Sequence, residues 1–192
     1  FDRITRPEHL LTALPRAMQV MTDPANCGPV TLAFCQDVQA EAYDYPVSFF
    51  EPKTWRIRRP EPDPRELDDV IVALKASTNP VIVAGGGVLY SSADYDLLAF
   101  AKKHNIPIIE TQAGKGAIDW QESLNFGSPG VTGTDCGNQI AAKADLILGV
   151  GTRFQDFTTG SWAIFANPNR KLVSINLTGY DAAKHGSIPL VC

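Results

Sequence analysis

The sequence predicts an α/β protein built on a doubly wound, Rossmann-like parallel sheet, preceded by a helix–strand remnant of another domain. Three observations predict it. From residue 64 onward, apolar runs alternate with amphipathic helical stretches, the signature of a parallel sheet with crossover helices. The runs PVIVA at 80–84 and DLILGV at 145–150 show no polar alternation, as expected of strands covered on both faces. Both runs end in glycine, PVIVAGGG and DLILGVG, where such strands hand over to ligand-binding turns.

The elements follow in order. Residues 5–22, TRPEHLLTALPRAMQVMT, predict a helix whose start is a capping box of Thr5 and Glu8, with Leu10, Leu14, Ala17 and Met21 on one face and a kink at Pro15. PVTLAF at 29–34 is a short strand with nothing after it to complete a sheet. The apolar face of the helix, with Met18, therefore lacks a natural partner, and is expected to be disordered or to drive dimerisation. Residues 44–63 form a linker. It is rich in proline and aromatics, so it runs extended, with Phe49, Phe50 and Trp55 packed along a surface. Asp63 as N-cap, Pro64 at the first helical position and Glu66 completing a capping box open the next helix, striped by Leu67, Val70, Ile71 and Leu74. After PVIVA, Ser91 with Asp94 starts a helix carrying Leu97, Phe100 and Ala101. IPIIE is then a strand, GNQIAAKA a helix, and DLILGVG and KLVSINL are strands. Three segments result: 1–43, 44–63 and 64–192.

Composition narrows the function. Of 192 residues, 44% are hydrophobic, enough for a packed core. Lys and Arg total 17 against 21 Asp and Glu, a net charge of −4 that gives no footprint for nucleic acid or an anionic membrane. No apolar run approaches the roughly 20 residues of a membrane span. Cys27, Cys35, Cys136 and Cys192 show no C-x-x-C spacing and no metal spacing with His9, His104 or His185. Free thiols point to a cytoplasmic setting. Phe1 is not an initiator Met and the chain stops in an apolar stretch, SIPLVC, so a piece of a longer polypeptide is expected.

The glycine turns carry whatever site there is. G-x-G-x-x-G fails at its third position from Gly85, which reaches Tyr90, and from Gly149, which reaches Phe154. Gly85, Gly86 and Gly87 thus leave two readings open: a phosphate cradle, or a tight turn. Glu110 closes its strand where an acid meets a ribose in dinucleotide sites. Gly114, Lys115 and Gly116 lack the order of a P-loop, but offer a cation in a turn. Gly149, Gly151, Thr152 and Arg153 put small residues, a hydroxyl and a guanidinium beyond a strand, for an anion or for a structural ion pair. There is no G-x-S-x-G, no H-E-x-x-H and no Asp followed by Gly, so no catalytic or metal residues are assigned.

The runs GPVTLAFCQDVQ, PVIVAGGGV, TQAGKGAI, FGSPGVTGT and ADLILGVGTRFQDFTTG resemble, in order and spacing, landmarks of thiamine diphosphate-dependent decarboxylases and acetolactate synthases. The first resembles the close of their pyrimidine-binding domain, the rest their central domain. WRIRRPEPD, ETQAGKGA, DFTTGSWAIFANP and DAAKHGSIPLV resemble the branch that opens a trihydroxycyclohexane-1,2-dione ring in inositol catabolism. The resemblance implies a homo-oligomeric parent that holds thiamine diphosphate and magnesium on flanking domains, not on this chain. It implies a central domain with a Rossmann-like sheet of about six strands that is empty, or that holds FAD or ADP near Gly85–Gly87, Gly114–Gly116 and Gly149–Arg153. The alternatives left open are a flavin-binding, acetolactate-synthase-like domain and a stand-alone nucleotide module.

Overall fold

A computed structural model describes all residues, 1–192. The chain packs as two compact units, Phe1–Pro60 and Glu61–Cys192. No helix is long and apolar enough to cross a membrane.

In the first unit, β1 (Asp2–Ile4) pairs in parallel with β2 (Leu32–Phe34), and α1 (Leu10–Thr22) connects them. The strand at residues 29–34 therefore does have a partner, β1, so short that its three residues carry no periodic signal. The capping box at Thr5 and Glu8 does not form. Pro7 opens a 3₁₀ turn over Pro7–His9, so the α-helix proper starts at Leu10, beyond both box residues. Glu8 pairs with Arg6 at 3.2 Å instead. The face of α1 that packs with Ile4 and Val38 is Leu10 and Ala13, Ala17 is also buried, and Leu14 and Met21 are exposed. Small alanines allow the close approach that a three-residue strand needs. Residues 43–50 gather Tyr43, Tyr45, Phe49 and Phe50, with Tyr45 stacked on Phe49 at 5.2 Å. The Tyr45 hydroxyl donates to the Pro7 carbonyl at 2.8 Å, tying this stretch to the start of the helix.

The second unit is a five-stranded, all-parallel sheet, one strand short of the expectation. Its strands are β3 (Pro80–Ala84), β4 (Ile108–Glu110), β5 (Leu146–Val150), β6 (Lys171–Asn176) and β7 (Ile188–Val191), in the order β4-β3-β5-β6-β7. The apolar ending SIPLVC is the edge strand β7. Both faces are covered, as the unalternating strands predict. Ile82, Ala84, Ile108, Leu146, Leu148 and Val173 point to one core, with α2 (Pro64–Ala76), α3 (Gly86–Tyr90) and α4 (Asp94–His104). Val81, Val83, Ile109 and Ile147 point to the other, with α5 (Asp135–Lys143), Phe154 and Phe165. Two short helices, α6 (Asp156–Thr159) and α7 (Gly179–Ala183), complete the layer.

Asp63 caps α2 as expected, accepting from the Arg65 amide at 2.8 Å. Glu66 does not close a box. Its carboxylate accepts the Val191 amide of β7 at 2.9 Å, a tertiary use that local spacing cannot reveal. The buried side of α2 is Val70 and Ala73 with Leu74, so Leu67 and Ile71 lie exposed. Ala93, not Ser91, precedes α4, without a side-chain cap. The Asp145 carboxylate joins three residues at the end of α2: Ser77 through its hydroxyl, Thr78 through amide and hydroxyl at 2.8 Å each, and Asn79 through its amide at 3.0 Å.

Candidate functional site

The sheet reverses its winding between β3 and β5, since β4 is added on one side of β3 and β5 on the other. Open α/β sheets hold ligands in the crevice at such a switch point, beyond the carboxyl ends of the strands. Three of the glycine turns found in the sequence meet there: Gly85–Gly87 after β3, Gly114 after β4 and Gly151 after β5.

They meet by backbone contact. The Gly85 amide donates to the Val150 carbonyl at 2.8 Å, and the Gly87 amide to the Gly151 carbonyl at 3.0 Å. The Gly151 amide donates in turn to the Ile175 carbonyl at 2.9 Å, and the Thr111 amide to that of Ala84 at 2.9 Å. There is no room for side chains. A Cβ on Gly85 would lie 2.2 Å from the Gly151 oxygen, one on Gly87 2.6 Å from the Gly151 Cα, and one on Gly114 2.3 Å from the Ala84 oxygen. Gly151 also needs its left-handed φ of 60°. Gly86 is buried as the first residue of α3, against Ala113. The Gly85 and Gly87 amides are thus both spent on backbone carbonyls.

The remaining candidates lie around this knot. Lys115 is exposed, and Gly116 beside it turns at φ 89° with open space around it. Gly149 is still inside β5, where its missing Cβ admits the buried Phe154 ring. Thr152 is buried. Its hydroxyl accepts the Phe154 amide at 3.3 Å and its carbonyl accepts the Asn176 side chain at 3.0 Å. Arg153 makes an ion pair, its Nε 3.3 Å from Asp181 Oδ2. Lys184 holds the other oxygen of Asp181 at 2.8 Å. Burial opposes the Asp181 charge, but Lys184, Arg153 and the Thr178 hydroxyl outweigh it and hold its pKa below the ordinary carboxylate value. Asp181 was not among the sequence candidates; it lies 28 residues beyond Arg153 and shares no motif with it. Glu110 does not reach toward a ribose. It is buried, accepting the Ile118 amide at 2.8 Å and the Asn125 side chain at 3.3 Å, and so pins the 115–118 turn to the sheet.

Comparison with known proteins decides the family. Residues 67–192 match the family described as thiamine pyrophosphate enzyme, central domain. The chain belongs to the thiamine pyrophosphate enzymes. Among curated relatives, 3D-(3,5/4)-trihydroxycyclohexane-1,2-dione hydrolase of Clostridium tetani is 48% identical over 191 residues, all of this chain and 30% of that protein. The protein of the same name in Bacillus licheniformis is 45% identical over the same span. The chain thus spans about a third of the length of these curated relatives. Among solved structures, benzoylformate decarboxylase from Polynucleobacter necessarius superposes with a TM-score of 0.72 at 22% identity, over 98% of this chain and 35% of that one, a likeness of fold.

Proposed function

We propose that this chain is the central, spacing domain of a thiamine diphosphate- and magnesium-dependent hydrolase that opens a cyclic 1,2-dione by carbon–carbon cleavage in inositol catabolism. The observation that carries the reading is 48% identity along the whole chain to a hydrolase of that name. When bound to the flanking domains, thiamine diphosphate supplies the carbanion chemistry. The residues here do the mechanical part. Gly85, Gly87, Gly114 and Gly151 lace the strand ends into one rigid block, and Asp181 neutralises Arg153 within it. On this reading the complete enzyme is a cytoplasmic homo-oligomer.

The test is an assay of the full-length polypeptide with trihydroxycyclohexane-1,2-dione. Turnover is expected with thiamine diphosphate and Mg²⁺ and not after both are removed. Residues 1–192 alone are expected to show neither turnover nor heat with thiamine diphosphate. Turnover by this piece alone would overturn the reading.

A second reading places FAD or ADP at the strand ends, and one observation favours it: Lys115 is exposed beside an unfilled turn at Gly116. Calorimetry with FAD and with ADP tests it: saturable heat with either ligand supports this second reading, and none with both removes it.

A further inference from the structure

The second unit holds a cavity of about 640 Å³ away from the glycine knot, where β6 and β7 begin rather than where the strands end. Trp162, Arg170, Lys171, Leu172, His185 and Ile188 line it. No acidic residue lines it. In a chain of net charge −4, two adjacent cations without a carboxylate stand out. The ion pairs of the chain engage Arg6, Arg65, Lys102, Arg153 and Lys184, and neither Arg170 nor Lys171.

The cavity is also held in shape. The Arg170 guanidinium lies 5.7 Å from the Trp162 ring centre, and one of its nitrogens donates to the Asn167 carbonyl at 3.1 Å. That contact leaves Nε and Nη2 as further donors. Trp162 packs against His185 at 4.9 Å and Phe165 at 5.9 Å. His185 Nε2 donates to the Arg153 carbonyl at 3.3 Å, leaving Nδ1 unused. Ser161 and Trp162 are consecutive non-glycine residues in the left-handed region, with φ of 52° and 69°. Such conformations cost energy and persist where packing over-determines them, often beside a binding site.

We propose that this cavity binds a phosphate monoester with an apolar or ring-shaped body. Arg170 and Lys171 take the phosphate, a dianion that matches two cations, whereas a single carboxylate leaves one of them unmatched. The body lies along Trp162, Leu172 and Ile188. None of the glycine-knot residues lines this site, which His185 joins to the Arg153 carbonyl.

The probes are phenyl phosphate, inorganic phosphate and benzoate, titrated into residues 1–192 by calorimetry. Phenyl phosphate is expected to bind saturably, with a dissociation constant of about 1 mM or below. Inorganic phosphate and benzoate are expected to bind more weakly. Lys171→Met, at an exposed position, is expected to weaken phenyl phosphate about tenfold, and so is raising salt from low to roughly 0.5 M. Lys103→Met, an exposed lysine on α4, is the control and is expected to leave binding unchanged. Arg170→Lys retains charge but loses the fork, so it is expected to bind between wild type and Arg170→Met, with melting curves confirming that each variant folds. No saturable binding by the wild type, or equal loss in Lys171→Met and Lys103→Met, would overturn the proposal.

Discussion

A single methyl group probes the glycine knot. Gly87→Ala drives a Cβ to 2.6 Å from the Gly151 backbone, which has no flexible end to move aside. It is expected to cost about 3 kcal/mol, read by urea denaturation. Gly116→Ala meets no atom and pays only for its left-handed backbone, so roughly 1 kcal/mol is expected. Equal losses at the two positions would mean that the contacts between turns carry no weight. Ser174 is the converse case. Its hydroxyl is buried on β6 with no hydrogen-bond partner, so Ser174→Ala is expected to stabilise by about 1 kcal/mol. Asp145 links residue chemistry to pH. Burial works against its charge, but the donors of Ser77, Thr78 and Asn79 win and hold its pKa at about 2. Its folded pKa is lower than its unfolded one, so its stabilisation is complete above about pH 4 and fades as pH falls through about 2. Asp63, also held at about 2, by Arg65, acts in the same window. Acid titration of unfolding should therefore show a shallower fall in Asp145→Asn than in the wild type, and this variant should already be weaker at neutral pH.

At the scale of elements, Glu66 joins helix α2 to edge strand β7 through the Val191 amide. Glu66→Ala is expected to cost about 1 kcal/mol and to speed hydrogen exchange at Val191, while Glu66→Gln, which keeps an acceptor, should restore most of the protection. Such pairings mark the limit of what was legible in the sequence. The strands 80–84 and 146–150 were readable because burial on both faces leaves a continuous apolar run. The cap at Asp63 was readable because its donor is two residues away. The boxes at Thr5 and Glu66 were misread because Pro7 imposes a 3₁₀ turn on one, and a strand 125 residues away claims the other. The stripes misled at Leu14, Leu67 and Ile71 because periodicity shows which residues share a face, not whether anything covers it. The glycine turns were found by pattern, and Arg153 with its two open readings, but Asp181 as its partner lies in no local signal.

At the scale of the molecule, the strand order β4-β3-β5-β6-β7 places a natural ligand crevice between β3 and β5, and three glycine turns meet there by backbone contact. Expression of residues 61–192 alone should give a cooperative melt, since both core layers lie inside that span. A loss of cooperativity would mean that the two units share their stability. The first unit has no such reserve. It has two three-residue strands, and fewer than three strands rarely hold alone in water. Between it and the larger unit, residues 52–62 have no regular secondary structure and expose Arg56 and Arg58. Brief trypsin treatment should therefore nick the chain there, then digest the shorter amino-terminal piece to peptides while the longer carboxyl-terminal piece survives as a band on a gel.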